Sequence, residues 1–516
     1  METAPTLHTA MKTVTTLKSY ALSGLLAHAI EIEITVGSRD GWTILGFSET
    51  AIAAVRERVH HALINAGFSL PPQITITITP TRLSRVDSLY DVPIALGILL
   101  ASEQIQRVHS LDGCLLLGEL ALDGRLRHTP GLLPVMMAAK AHGFTTAFVP
   151  AMNAPEAALA RGITIYAGAT LADLIHHLDG THLMTPSSTE DVKQDDDHSG
   201  VGGCDMADIR GQNHVKRMLE VAATGRHSVL MSGPPGAGKT LLAHALGGIM
   251  PPLTAQEHCE ITARYSLSGL LSSDRPVIHQ RPFIAPSPTI TYAQMVGSGR
   301  IPQHGQMVLA HGGILVLDDL AAFSDGVLRA LREPMEEGTV TVWREHRPMV
   351  FPTRFLLVGT MKPCPCGFHN DPVQECRCSA REILQYLNRL KRFLQGLFDI
   401  HIDVPRLTYE QLTEVRPREH SAAIAAHVQS GQQRQLTRQS PIWNSQMGPA
   451  ERDTFCRMDA PTERLLQAAL RQLDFTARTT HQILCVARTI ADLDGRESII
   501  ARDLAEAIQY RSRNHI

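Results

Sequence analysis

Gly233-Pro234-Pro235-Gly236-Ala237-Gly238-Lys239-Thr240 is the stretch on which the reading of this chain turns. Its spacing is that of a phosphate-binding loop. The apolar run Val229-Leu230-Met231 before it reads as a strand, and Leu241-Leu242-Ala243-His244-Ala245-Leu246 after it as a helix. Glycines here let backbone N–H groups wrap the α- and β-phosphates of a nucleotide, and the helix N-terminus adds favourable partial charge. Lys239 would reach the β- and γ-phosphates, and Thr240 would place a hydroxyl on Mg²⁺. The alternative is a chance glycine-rich turn, but every fixed position is filled and a strand and a helix flank the loop.

A second run agrees. Gly313-Ile314-Leu315-Val316-Leu317-Asp318-Asp319 is an apolar strand ending in two carboxylates, about 80 residues beyond the loop. This is the form of the second NTPase motif, whose first Asp, here Asp318, holds the magnesium. Alone, such a run is more often a buried strand meeting solvent. Together the two motifs predict a binding site for a nucleoside triphosphate with Mg²⁺.

The 516 residues allow about three domains. With 44% hydrophobic and 19% charged residues, the composition is that of a globular protein. A net charge of −3 advertises no global affinity for nucleic acid, so any such binding must come from local patches. Met1 to Tyr20 lacks the apolar core of a signal peptide, and Pro93 to Ala101 is too short to span a bilayer. Nine cysteines, an odd number with four crowded together, argue against a disulfide framework and for reducing cytoplasm.

Composition divides the chain. Thr185 to Asp205 is polar and acidic and reads as a linker (185–205). Residues 1–184 before it read as an α/β domain. Gln73 to Thr79 alternates as a half-buried strand, and Ala51 to Ala66 has helical spacing up to Gly67. Leu115–Leu120 and Ala147–Pro150 are further strands, so a mixed sheet with helices on one side is expected. Residues 206–405 form the nucleotide domain, with a parallel sheet. Residues 406–516 are helical at Glu463–Leu473, Arg478–Asp494 and Ala501–Arg511, with glutamine-rich 429–446 read as a loop or helix end.

Cys364-x-Cys366 and Cys376-x-Cys378 are nine residues apart, with Gly367 and Pro372 between them. Four thiolates in two pairs can close a tetrahedral Zn²⁺ site, although C-x-C is tighter than the usual spacing. Four free thiols in a loop is the alternative, and His369 is a reserve ligand. Between the phosphate loop and Asp318 there is room for an insertion. Gln280 to Arg300, with Arg281 and Arg300, and a hairpin tip at Arg344-Glu345-His346-Arg347 are candidates for contacts to nucleic-acid phosphates.

Several further stretches join the phosphate loop: Asp208-Ile209-Arg210-Gly211-Gln212, Arg281-Pro282-Phe283-Ile284-Ala285-Pro286, Leu309-Ala310-His311-Gly312-Gly313, Lys362-Pro363-Cys364-Pro365-Cys366-Gly367 and Ala487 to Leu493. Gly118-Glu119-Leu120, Asp123-Gly124 and Asp91-Val92-Pro93-Ile94-Ala95 add to the set. Together they resemble the magnesium-chelatase-like AAA+ family of the ComM/YifB type, over about residues 14 to 512. The resemblance implies a Lon-protease-like N-terminal α/β domain, a P-loop AAA+ module and a C-terminal helical lid. It implies nucleotide contacts at Ile209 and Gly211, and hexameric rings acting on DNA as helicases that extend branches during uptake and recombination. A Lon-like domain raises a protease as rival. The chain reads Val86-Asp87-Ser88-Leu89-Tyr90-Asp91 where that fold carries its serine motif, and Lys140 lies beyond the segment where a lysine would follow, so the domain is read as non-proteolytic.

The chain departs from the family pattern at three hydrolytic positions. Asp319 stands where the family has a water-orienting Glu, and an offset of about 1 Å can cost roughly 10²-fold in rate. Lys362 stands at the sensor position, usually Asn; a charged lysine donates only. Leu397 fills the arginine-finger slot, a loss of about 10³–10⁵ in rate. Arg389, Lys391 and Arg392 are possible substitutes or a solvated helix face. Arg478 matches the second-sensor arginine. The expectation is firm ATP binding with slow hydrolysis. The alternatives are an ATP-gated scaffold and a chelatase-type subunit that remodels a partner.

Overall fold

The computed structural model describes residues 14–23, 26–38, 41–45, 49–80, 88–108, 110–187, 204–272, 274–298, 303–344, 347–413, 419–438, 443–473 and 475–511. Most of the expected linker, Arg300 and the hairpin tip at Glu345 and His346 therefore lie outside the described residues, as does the side chain of Ser88. By packing, the chain divides into two units. One comprises residues 1–194 with 258–278, and the other 195–257 with 279–516.

In the first unit, strand Gln73–Thr79 buries Ile74, Ile76 and Ile78 on one face, as its alternation requires. It pairs antiparallel with Leu26–Gly37 and parallel with Gly41–Leu45; Thr15–Ser23 closes the far side. The apolar stretch at Pro93 belongs to helix Asp91–Ala101, buried along almost its whole length. An all-round apolar helix must be covered on every side. It lies so close to the sheet that a Cβ on Gly97 would meet Ile34 Cδ1 at 2.3 Å.

The single mixed sheet expected here is corrected to two four-stranded sheets. The run at Leu115 is interrupted: Gly118 takes φ +147° and separates strand Cys114–Leu116 from the short strand Glu119–Leu120. Cys114–Leu116 joins Thr146–Pro150 and Thr164–Gly168 in the second sheet, with Pro186–Ser187 antiparallel at its edge. Lys140 is exposed at the end of helix Leu132–Ala141, with its Cε over Gly162. Segment 258–278 completes this unit. Ser266 Oγ accepts from Gly131 N at 2.9 Å, and Ala263 joins the core.

The second unit is built on a five-stranded parallel sheet ordered Phe283–Ile284, Ile314–Leu317, Leu356–Met361, Val229–Ser232, Ile400–Asp403. Its central strands are apolar without alternation because both faces are covered. Helices Asn213–Gly225, Ser421–Thr437, Ala477–Leu493 and Ala501–Gln509 share a core with it. Of the stretch 429–446, expected as a loop or helix end, residues 429–437 are the end of helix Ser421–Thr437. Two of its glutamines, Gln432 and Gln435, are buried: Gln435 Nε2 donates to Thr224 O at 3.0 Å, and Gly431 gives the helix room against Thr224. No helix among the described residues is long and apolar enough to cross a membrane.

Burial pushes the Glu156 carboxyl from its ordinary 4.5 up to about 7, against the lowering pull of Ser266 and Asn153. Between those pH values the folded chain keeps a proton that the unfolded chain has released. Stability therefore falls as pH rises through this window, by at most about 1.4 kcal/mol per pH unit. Melting Glu156→Gln beside the parent at pH 5 and pH 8 should show a smaller pH dependence in the variant.

Candidate functional site

Strand Val229–Ser232 ends at the phosphate loop, and helix Lys239–Gly247 leaves it. Gly236 and Gly238 take φ +77° and +90°, which turn the chain back on itself. Gly233 is needed for a different reason. A Cβ there would sit 2.2 Å from the Val404 carbonyl oxygen, so only a bare Cα passes the end of the fifth strand. Lys239 Nζ donates to the carbonyls of Gly233 and Pro234, 2.8 Å each, with the first-turn amides of the helix beside it. Burial lowers the Lys239 ammonium below its ordinary value, while Asp318 pulls the other way.

The strand order delivers the second motif to the same place. Thr240 Oγ1 donates to Asp318 Oδ2 at 2.9 Å, so the two expected magnesium ligands meet. The middle strand supplies a residue the sequence did not single out. Thr360 Oγ1 donates to Asp318 Oδ1 at 2.5 Å and accepts from Asp319 N at 2.9 Å. That second bond holds Asp319 at φ +58°, a left-handed conformation that Asp tolerates better than most residues. A lone polar residue near the end of the apolar run Leu356 to Met361 was the available signal.

Lys362 Nζ lies 2.7 Å from Asp319 Oδ2, so two of the three positions expected to depart from the family pattern form one ion pair. Tyr386 OH donates to Lys362 O at 3.0 Å. Leu397 is buried, with its carbonyl bonded to Ser228 Oγ. Arg389 is no free cation: it donates to Ala321 O, Phe323 O and Asp325, clasping the turn just beyond Asp319. Arg392 lies over the Phe393 ring. Arg478 bonds Glu336 at 3.0 Å and covers Gly396, and bonds no member of the Lys239–Asp318–Asp319–Lys362 cluster.

Ile209 and Gly211 border the exit of the fifth strand. Ile209 is buried, and Gly211, at φ +56°, faces Leu407. Next to them, Gln212 Nε2 donates to Pro405 O at 2.7 Å. The Sγ atoms of Cys364, Cys366, Cys376 and Cys378 all lie within 4.8 Å of one another. Contacts of 3.3, 3.6 and 3.7 Å approach the edge of a tetrahedron of thiolates around one zinc ion, about 3.8 Å for a Zn–S distance of about 2.3 Å. His369 is exposed.

The nucleic-acid candidates divide. Arg281 is corrected from a mobile-loop contact to a buried structural residue. It donates to Pro251 O, Pro252 O and Gly312 O and pairs with Glu257 at 2.9 Å, just before edge strand Phe283–Ile284. The hairpin is present: Thr339–Arg344 pairs antiparallel with Arg347–Pro352. Trp343 on it is 70% exposed.

Three family descriptions match in succession: "Subunit ChlI of Mg-chelatase" over residues 30–153, "Magnesium chelatase, subunit ChlI" over 205–412 and "Magnesium chelatase, subunit ChlI C-terminal" over 418–511. Competence protein ComM of Haemophilus influenzae is 36% identical over 96% of each chain. The uncharacterized protein YifB of Escherichia coli is 36% identical over 95% of this chain and 96% of its own. The magnesium-chelatase 67 kDa subunit of Heliobacterium mobile is 31% identical over 31% of this chain and 28% of its own.

The two loop glycines should respond differently to alanine. Gly233→Ala, which collides with backbone, should lower stability by about 3 kcal/mol or more. Gly236→Ala, which meets open space at a positive φ, should cost about 1 kcal/mol. Chemical denaturation of the two variants beside the parent measures the difference.

Proposed function

The chain belongs to the magnesium-chelatase-like family of ComM and YifB, and from that premise we propose an ATP- and Mg²⁺-binding AAA+ protein that assembles into hexameric rings on single-stranded or branched DNA. The observation that carries the proposal is the meeting of Thr240 with Asp318 at 2.9 Å, beside Lys239 and the turn of the phosphate loop. ATP would lie with its phosphates on the loop amides, its metal on Thr240 and Asp318, and its base side near Ile209 and Gly211. Residues 1–184 are proposed as a non-proteolytic Lon-like domain and 406–516 as the lid. The four cysteines are proposed to hold zinc. The similarity to ComM spans 96% of the chain and that to the chelatase subunit 31%, which favours DNA work over partner remodelling. The name of the competence relative agrees with a role in DNA uptake or recombination in the cytoplasm.

Hydrolysis is proposed to be slow. Asp319, the carboxylate left to orient water, is engaged by Lys362 at 2.7 Å. The buried Leu397 offers no guanidinium to a neighbouring subunit. Arg478, in the second-sensor role, would have to leave Glu336 to reach a phosphate. An ATP-gated scaffold is the limiting case. On the DNA side, exposed Trp343, on the hairpin whose tip reads Arg344-Glu345-His346-Arg347 in the sequence, fits base stacking, worth about 1–3 kcal/mol per base.

Steady-state phosphate release with and without forked DNA tests the reading. Turnover by the parent should be slow, and Asp319→Glu with Lys362→Asn should raise it about tenfold or more while ATP affinity holds. Rapid DNA-stimulated turnover by the parent, abolished by Lys239→Ala, would overturn slow hydrolysis. Fluorescence anisotropy on single-stranded DNA should show Trp343→Ala binding about tenfold more weakly.

A further inference from the structure

Only Pro363 separates Lys362 of the nucleotide site from Cys364 of the cysteine cluster, and contacts tie both ends of the path from Met361 to Gly367. Met361 O accepts from Gly233 N at 3.3 Å, at the root of the phosphate loop. Lys362 pairs with Asp319. At the other end Gly367, with φ +88°, faces the phosphate loop directly. A Cβ there would lie 2.7 Å from Pro235 Cδ and 2.9 Å from its Cγ. The same Gly367 donates its N–H to Cys364 Sγ at 3.2 Å, and Cys366 N donates to Cys378 Sγ at 3.4 Å. One glycine thus touches the thiolate cage on one side and the phosphate loop on the other.

Nothing else of regular structure holds this segment. From Lys362 to Ser379 the chain forms neither helix nor strand. Asp371 caps the turn between the cysteine pairs by accepting from Val373 N and Gln374 N, and faces Arg406 at 3.6 Å. Turn bonds from Gly367 N to Cys364 O and Asp371 N to Phe368 O and the Tyr386 hydroxyl on Lys362 O add to this, and the four sulfurs are drawn within 4.8 Å of one another. Thiolates that close repel one another unless a cation neutralises them, and the free energy of metal binding in such a loop is folding free energy.

We propose that a metal ion held by Cys364, Cys366, Cys376 and Cys378 is a structural part of the nucleotide site, fixing Gly367 against Pro235, so that nucleotide affinity depends on metal occupancy. The inference rests on the zinc reading above but goes beyond it. It links two sites that share no ligand. The N–H···S bonds from Gly367 and Cys366 are the outer contacts that orient such thiolates, and the first of them transmits the ion's position to the phosphate loop. Loss of the ion releases the 362–378 segment, and with it one wall of the loop around Pro235.

The test uses the full chain. Elemental analysis of the purified protein should find about one zinc per chain. Stripping it with a thiol-directed mercurial, followed by reductant and chelator, should weaken binding of a fluorescent ATP analogue with Mg²⁺ at least tenfold, and added zinc should restore it. Because a cysteine variant could fail to fold, Gly367→Ala is the second arm. It should keep its zinc and its helical circular dichroism and still lose at least tenfold in affinity. If the parent holds no zinc and binds none on titration, the zinc reading falls and takes this inference with it. If zinc is present, but its removal or Gly367→Ala leaves nucleotide affinity unchanged, the inference alone is overturned.

Discussion

The site depends on one packing constraint: strand Val229–Ser232 lies between Leu356–Met361 and Ile400–Asp403, with all three running the same way. In a parallel sheet every strand delivers its carboxyl end to the same edge, and ligand sites form there, where the strand order changes direction. The fifth strand presses the Val404 carbonyl against Gly233. The middle strand brings Thr360 and Lys362, and its neighbour Ile314–Leu317 brings Asp318 and Asp319. A phosphate loop with that spacing but other neighbours would lack its metal ligand.

Charge is arranged with equal economy. Lys239 and Lys362 face Asp318 and Asp319, so two cations and two carboxylates share a small, half-exposed volume. Around it the arginines are committed elsewhere: Arg389 to the turn after Asp319, Arg281 to the carbonyls at Pro251 and Gly312. A guanidinium bound to several carbonyls acts as a multi-point brace because its donors are fixed in a plane. Counting such residues as available positive charge would overstate the attraction this surface exerts on a polyanion.

What was legible in the sequence was local. The phosphate loop, the alternation of Gln73–Thr79 and the apolar run before Asp318 each declare themselves within a dozen residues, because their physics is periodicity and backbone freedom. The meeting of Thr240 with Asp318 followed from recognising both motifs. Glu336 and Tyr386 were not legible, and Thr360 only as a lone polar residue in an apolar run: each acquires its role from a partner far along the chain. Arg281 misled for the same reason, since a Pro- and Gly-rich neighbourhood looks like a loop until the carbonyls that bind it are known. The single sheet expected before residue 184 failed because, among the described residues, strand Gln73–Thr79 and its neighbours pair only among themselves and Cys114–Leu116 pairs with Thr146–Pro150; which strands pair is set by partners far along the chain.

Segment 258–278 has a consequence for biosynthesis. Ser266 and Ala263 complete a core whose other members come from the first 178 residues of the chain. On a ribosome adding about 5–20 residues per second, the nascent amino-terminal portion waits for a further stretch of translation before its last buried pieces emerge. By then the phosphate loop has already been synthesised. The order of completion is therefore interleaved, and cutting the gene anywhere near codon 195 yields a fragment with an open seam.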